Sequence, residues 1–201
     1  MDEPKRCGWA SLDDPLYRAY HDKEWGVPLH DDMKIFEYLV LEGFQAGLSW
    51  YTVLRKRENF RKVFNGFNPE TVSGYDSGKI KQILSDPGVI RNRLKVVSAV
   101  TNAKSFLKVQ KEFGSFDEYI WSFVGHTPVV NHWKSVRQIP STSEISDRLS
   151  KDLISKGFRF VGSTICYAHM QATGMVNDHV VSCFRYREII KSLNPGEEVR
   201  R

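Results

Sequence analysis

Residues 80–106 read IKQILSDPGVIRNRLKVVSAVTNAKSF, and they divide into helix, tight turn and helix. The first helix is expected to end at Leu84. Ser85-Asp86-Pro87-Gly88 is a cluster of turn formers, and helical periodicity resumes from Val89 to Phe106. A turn of this kind presents free backbone N–H groups at the start of the second helix, a natural phosphate site. Gly88 lies in that turn, and Arg91, Arg93 and Lys95 follow at once with positive charge. The plainer reading is an ordinary αα-hairpin with a solvated basic face.

Helix signals dominate on both sides of the hairpin. In DDPLYRAYHDKEW, Asp14 is an N-cap candidate and Pro15 occupies the first helical position. DDMKIFEYLVLEG starts a helix at Asp31 or Asp32 and closes it at Gly43. SWYTVLRKRENFRKVF places Trp50, Val53, Leu54 and Phe60 against a charged face. Asn68-Pro69-Glu70 opens a short helix, and SDRLSKDLISKG closes another at Gly157. Residues 158–162, FRFVG, are the best strand candidate, with a helical lead-in as the alternative. There is no internal repeat or long linker, so the 201 residues are expected to form one all-α unit, or two helical subdomains of it.

Net charge is +5, from 29 basic and 24 acidic residues, and the pI is about 9.1. This excess permits nucleic-acid binding without establishing it. No apolar run reaches the roughly 18 residues of a membrane span, and the first twenty residues do not read as a signal peptide. The expected location is the cytoplasm, in association with the nucleoid. Three cysteines argue against a disulfide framework and leave packing, catalysis or metal binding.

Two features carry chemistry. On the helix of residues 34–46, Ile35, Leu39, Glu42 and Ala46 follow the core stripe, which puts a carboxylate where an apolar residue belongs. Burying an unpaired carboxylate is costly, so Glu42 needs a partner or a task. Gly43 and Gly47 flank it and are expected to break the helix, Trp50 follows, and Trp9, Tyr20 and Trp25 crowd the amino-terminal segment. Aromatic walls and one carboxylate suit a flat, electron-poor or cationic ring; otherwise the aromatics are core and Glu42 is a paired or solvated edge residue. The second feature is NDHVVSCF, where His179 and Cys183 have the spacing of one helix face. With Cys7 and His21 they form a plausible tetrahedral zinc set, structural because no position stays open. The order Cys…His…His…Cys fits no common finger, and ordinary packing residues remain the alternative.

Taken together, the chain resembles the 3-methyladenine DNA glycosylase I family of the helix–hairpin–helix superfamily. The resemblance runs from RCGWA (6–10) through PLYRAYHDKEWGVP (15–28), LEGFQAGLSWYTVLRKRENF (41–60), IRNRLKV (90–96), WSFVGH (121–126) and KGFRFVGSTICYAHMQATGMVNDH (156–179) to NDHVVSCFRY (177–186). It implies a helix–hairpin–helix glycosylase fold and excision of 3-methyladenine from double-stranded DNA by a monomer, without a lyase step. It also implies a structural zinc on Cys7, His21, His179 and Cys183 that joins the two ends of the chain. By the same resemblance Glu42 is the catalytic residue and Tyr20, Trp50, Trp9 and Trp25 surround the base. Gly47 and Leu48 lie where the protein fills the gap left by the flipped nucleotide, and residues 86–93 are the DNA-gripping hairpin.

The sequence departs from the family pattern at Gly162-Ser163-Thr164, where Gly-Pro-Thr is usual, and at His169, where a bulky apolar residue is usual. Asp117, the nearest counterpart of the catalytic Asp of many superfamily relatives, is read as solvated. The implied mechanism has Tyr20 and Trp50 stack on the ring, Glu42 accept its hydrogen bonds, and water attack the sugar. The rival readings are a non-catalytic zinc-stabilised DNA-binding module and a small-molecule hydrolase with Glu42 as general base.

Overall fold

Helix α1 (Pro15–Lys23) starts where Asp14 turns its carboxylate onto the amides of Leu16 and Tyr17, and the same device recurs along the chain. Asp31 caps α2 (Asp32–Gln45), Ser49 caps α3 (Trp50–Val63) and Asn68 caps α4 (Pro69–Ser73). Asp76 caps α5 (Ser77–Ser85), Asn92 caps α6 (Arg93–Phe113) and Ser115 caps α7 (Phe116–Ser122). Ser143 caps α8 (Glu144–Ser155); α9 (Ser163–Ala172) and α10 (Phe184–Leu193) complete the order. This computed structural model describes residues 3–10 and 14–193.

Helix α2 is the axle of the fold. Every residue from Ile35 to Phe44 is buried, the pattern of a helix covered on all sides. It packs against α3, α6, α7 and α9. The expected end at Gly43 is wrong by one half-turn: the helix runs on to Gln45, because a glycine here lets the Phe160 segment approach to ordinary contact without breaking the helix.

Two further expectations are corrected. The helix after the hairpin begins at Arg93 rather than Val89, since the Asn92 side chain accepts from the Lys95 amide and fixes the start there. FRFVG is neither strand nor helix. Its backbone polar groups go to side chains instead: Asn102 brackets Arg159, accepting from its amide and donating to its carbonyl, and Ser150 donates to the carbonyl of Val161. Among the described residues the helices are joined by one strand pair, a parallel ladder of β1 (Val129–Val130) with β2 (Val176–Asn177). The chain is mostly helical, in keeping with the expected helical class, and this two-residue ladder is a small addition to it.

Candidate functional site

Cys7, His21, His179 and Cys183 come together although 172 residues separate the first pair in hydrogen-bond contact. His179 and Cys183 do not share a helix face, as their spacing suggested. They lie in a turn between β2 and α10, held by the Cys183 amide donating to the Val180 carbonyl. The amino-terminal segment reaches them as an extended arm, with the Phe184 amide donating to the carbonyl of Lys5.

All four side chains are buried and their donor atoms lie within 4.8 Å of one another. Cys7 Sγ and Cys183 Sγ are each 3.5 Å from His179 Nδ1, and Cys183 Sγ is 3.5 Å from His21 Nε2. Tetrahedral bonds of roughly 2.3 Å to sulfur and 2.0–2.1 Å to nitrogen would set such pairs about 3.6 Å apart. The remaining ring nitrogens are also committed: His21 Nδ1 sits 2.7 Å from Asp22 Oδ1 and His179 Nε2 lies 3.0 Å from the carbonyl oxygen of Trp25. Such outer partners fix tautomer and ring orientation at metal sites. The hydrogen bond between the two thiols, followed for Cys183 by burial against it and by the nearby imidazoles, pulls Cys183 towards thiolate and drives Cys7 up. Two buried thiolates side by side require a cation between them, and a tetrahedral divalent ion with a preference for nitrogen and sulfur fits this donor set.

The aromatic residues form a different site beside it. Trp9, Tyr20, Trp25, Glu42 and Trp50 line one cavity of about 310 Å³, at the lower end of the roughly 300–1,000 Å³ usual for ligand pockets. Glu42 reaches it from α2, Tyr20 from α1 and Trp50 from the first turn of α3. Glu42 is 2% exposed, and its Oε2 has no hydrogen-bond partner among the described residues. Trp50 Nε1 is likewise buried and unpartnered. Burial pushes the Glu42 carboxyl up to about 8. Burial first, then the neighbouring Tyr38 and Glu42, hold the Tyr20 hydroxyl far above its ordinary range.

The rings meet at angles. Tyr20 and Trp50 have centroids 5.3 Å apart with planes tilted by 43°. Two faces that sandwich a flat ring stand about 7 Å apart, twice the roughly 3.5 Å contact distance, so these residues form a corner and one base cannot lie between them. Behind Trp50, Tyr38 lies nearly parallel at 6.3 Å, and its hydroxyl donates to Glu24, which also receives Arg57.

Gly47 and Leu48 occupy the turn between α2 and α3. Gly47 takes φ +78°, which favours glycine, and Leu48 is 42% exposed. Lys95, buried at the start of α6, donates to the carbonyls of Phe44 and Ala46 and so fastens this turn to the hairpin helix. At Gly88 the backbone passes close to Asn59, and a Cβ there would meet its Nδ2 at 2.2 Å, so that side chain would have to move. Its amide is not free as expected: it donates to Asp86 Oδ1 at 2.6 Å. The amides of Ile90 and Arg91 have no acceptor among the described residues, and the exposed Arg91 and Arg93 make no ion pair among them.

Asp117 is not free in solvent; it pairs with His30 at 2.9 Å and does not line the cavity. Ser163 opens α9 with its hydroxyl 2.8 Å from that of Ser146. His169 is buried with both ring nitrogens unpartnered, and burial pushes it down to about 3. Sequence reasoning missed Tyr17, Gln45, Ala168 and Gln171 on the cavity wall, and the segment Val136–Pro140 that covers one side. For Gln171 a signal existed, three residues after Ala168 on one helix face; for Val136–Pro140 there was none.

Known proteins resemble this chain over most of its length. The profile of the methyladenine glycosylase family matches residues 9–186. DNA-3-methyladenine glycosylase 1 of Escherichia coli (strain K12) is 49% identical over 182 residues, 90% of this chain and 97% of that one. A crystal structure of 3-methyladenine DNA glycosylase I superposes with a TM-score of 0.87 at 47% identity, covering 90% of this chain and 98% of the other. The Staphylococcus aureus 3-methyladenine DNA glycosylase I, from a structure concerned with 3-methyladenine recognition, superposes at 0.86 with 32% identity, over 89% and 95%.

Proposed function

The chain belongs to the methyladenine glycosylase family, and on that premise we propose that it flips 3-methyladenine out of alkylated duplex DNA, hydrolyses its N-glycosidic bond and leaves an abasic site. It is a DNA-3-methyladenine glycosylase by class, and its task is base-excision repair. The observation that carries the detailed reading is Glu42, a buried carboxyl with an unpartnered oxygen in an aromatic cavity.

Methylation at N3 makes the adenine cationic and weakens its glycosidic bond. The base departs with the bond's electron pair and becomes neutral, water bonds to C1′, and the water's proton returns to solvent. No strong acid is needed. No lysine lines the cavity among the described residues, which favours hydrolysis over Schiff-base chemistry. The enzyme must pay a few kcal/mol to flip the nucleotide and then hold the cation. With its carboxyl near pH 8, Glu42 gives up its proton at pH 7 for only about 1.4 kcal/mol. A cationic ring recovers that cost as a charge-assisted bond; a neutral adenine does not. Tyr20 and Trp50 offer a corner for the ring, with Trp9 and Trp25 closing the cavity.

The DNA is held by α5, its turn and α6, which we read as a helix–hairpin–helix. The open amides of residues 90–91 and the cations Arg91 and Arg93 receive phosphates, while Gly47 and Leu48 enter the gap in the duplex. Zinc on Cys7 Sγ, His21 Nε2, His179 Nδ1 and Cys183 Sγ would tie the termini and hold Trp9, Tyr20 and Trp25 in place without touching the reaction. Among the described residues no helix is long and apolar enough to cross a membrane; a monomer in the cytoplasm, at the nucleoid, is the form proposed. The test is release of free base from methylated duplex DNA. The expected result is free 3-methyladenine with abasic sites in equal number, and DNA binding without base release would overturn the reading.

A further inference from the structure

One wall of the cavity has no part in the proposed reaction. Ala168 and Gln171, three residues apart on α9, face it together. Gln171 Nε2 donates to Asp178 Oδ2 at 2.7 Å. Asp178 is fully buried, and it also receives the Tyr167 hydroxyl on Oδ2 and Asn131 Nδ2 and Trp133 Nε1 on Oδ1, each at 2.7 Å. Four donors thus converge on one carboxylate. A carboxylate in that role only accepts, so the amide of Gln171 must turn its NH₂ group towards it. Reversing the amide would set its carbonyl oxygen against the carboxylate. The carbonyl end is left over, with no donor among the described residues.

We propose that Gln171 determines specificity, its locked carbonyl oxygen accepting from the exocyclic amine of the flipped base and opposing a purine that carries a carbonyl at that edge. The inference rests on the proposed function. An unlocked glutamine could rotate to donate or accept and would discriminate nothing. Glu42 cannot make the distinction by itself, since it answers to the charge of the ring, which an N3-methylated purine with a carbonyl at that edge carries as well. A polar group fixed in one sense rejects the mismatched partner because both sides lose a hydrogen bond.

The test pairs a variant with a ligand. Gln171→Met keeps the length of the side chain and removes the amide, and Gln171→Leu serves in its place if the first does not fold. Binding of free 3-methyladenine and of 3-methylpurine, which lacks the amine, is measured on wild type and variant. Wild type should favour 3-methyladenine, and the variant should lose that preference by about tenfold, one hydrogen bond's worth. Release of 3-methylguanine relative to 3-methyladenine from methylated duplex should rise in the variant. An unchanged ratio between the two ligands, even with weaker binding of both, overturns the role of Gln171 alone. A wild type that neither binds 3-methyladenine nor releases it overturns the proposed function as well.

Discussion

Two buried polar clusters stand side by side in this molecule, and they are finished to different degrees. Around Cys7, His21, His179 and Cys183, every ring nitrogen has a sulfur, carboxylate or carbonyl within reach. Around Glu42 and Trp50, a carboxyl oxygen and an indole N–H are hidden from solvent with nothing among the described residues to meet them. The clusters share walls: Trp9 lies 5.1 Å from His21 and 5.0 Å from Trp25, and Trp25 lies 4.6 Å from His179. A buried polar group costs roughly 1–3 kcal/mol when left unsatisfied. On the proposed function the satisfied cluster holds the chain together, and the unsatisfied one is kept at a loss until the base completes it. His169 supplies the contrast, with two orphaned nitrogens and no place on the cavity wall.

The largest effect should come from breaking the satisfied cluster. Cys183→Ser, or chelation, is expected to lower stability by roughly 3–5 kcal/mol, the range for removing one partner of a buried charged set. Metal analysis should find about one zinc per chain. A metal-free protein that melts with the metal-loaded one would break the comparison.

His169→Leu should act in the opposite direction. The folded imidazole sits near 3 rather than 6.5, so wild-type stability is full above about pH 6.5 and falls as pH drops towards 3. The variant escapes this loss and should gain on wild type by roughly 2.5 kcal/mol between pH 7 and pH 4.5. Urea midpoints at the two pH values measure it, and a constant difference would show that His169 finds a partner.

Smaller still are the effects at the hairpin. Arg91→Gln or Arg93→Gln should weaken binding to all duplexes alike and reduce the salt dependence by about one phosphate. The identity of the excised base should not change. An unaltered salt slope in both variants would move the DNA surface elsewhere.

How much of this was legible beforehand depended on whether the signal was local. Helix caps at Asp14, Asp31 and Asn68 could be read because a side chain bonds an amide two or three residues away. Glu42 could be read because the stripe on α2 is long and buried. FRFVG misled because its backbone is satisfied by Asn102 and Ser150, which no pattern in those five residues reveals. The spacing of His179 and Cys183 suggested a helix where a turn stands; residue types offered Cys7 and His21 as their partners, and the family resemblance made that set specific. The Val136–Pro140 wall and the Asp178 lock on Gln171 arise from contacts between distant segments, which leave no local trace.

The central claim, that Glu42 is kept unsatisfied for a cationic base, is tested most directly by Glu42→Gln, with stability and base release followed on one preparation. The folded carboxyl lies near 8 against an ordinary value of 4.5, so wild type binds more protons folded than unfolded and loses stability as pH rises between those values. Gln has no such loss, and the variant should gain on wild type from pH 5 to pH 9. Excision of 3-methyladenine in single turnover should fall by the worth of a charge-assisted bond, roughly 1.5–3 kcal/mol or about ten- to a hundredfold. Greater stability at high pH with slower release is the predicted pair. A less stable variant that releases base at the wild-type rate would contradict the account and make Glu42 a core residue.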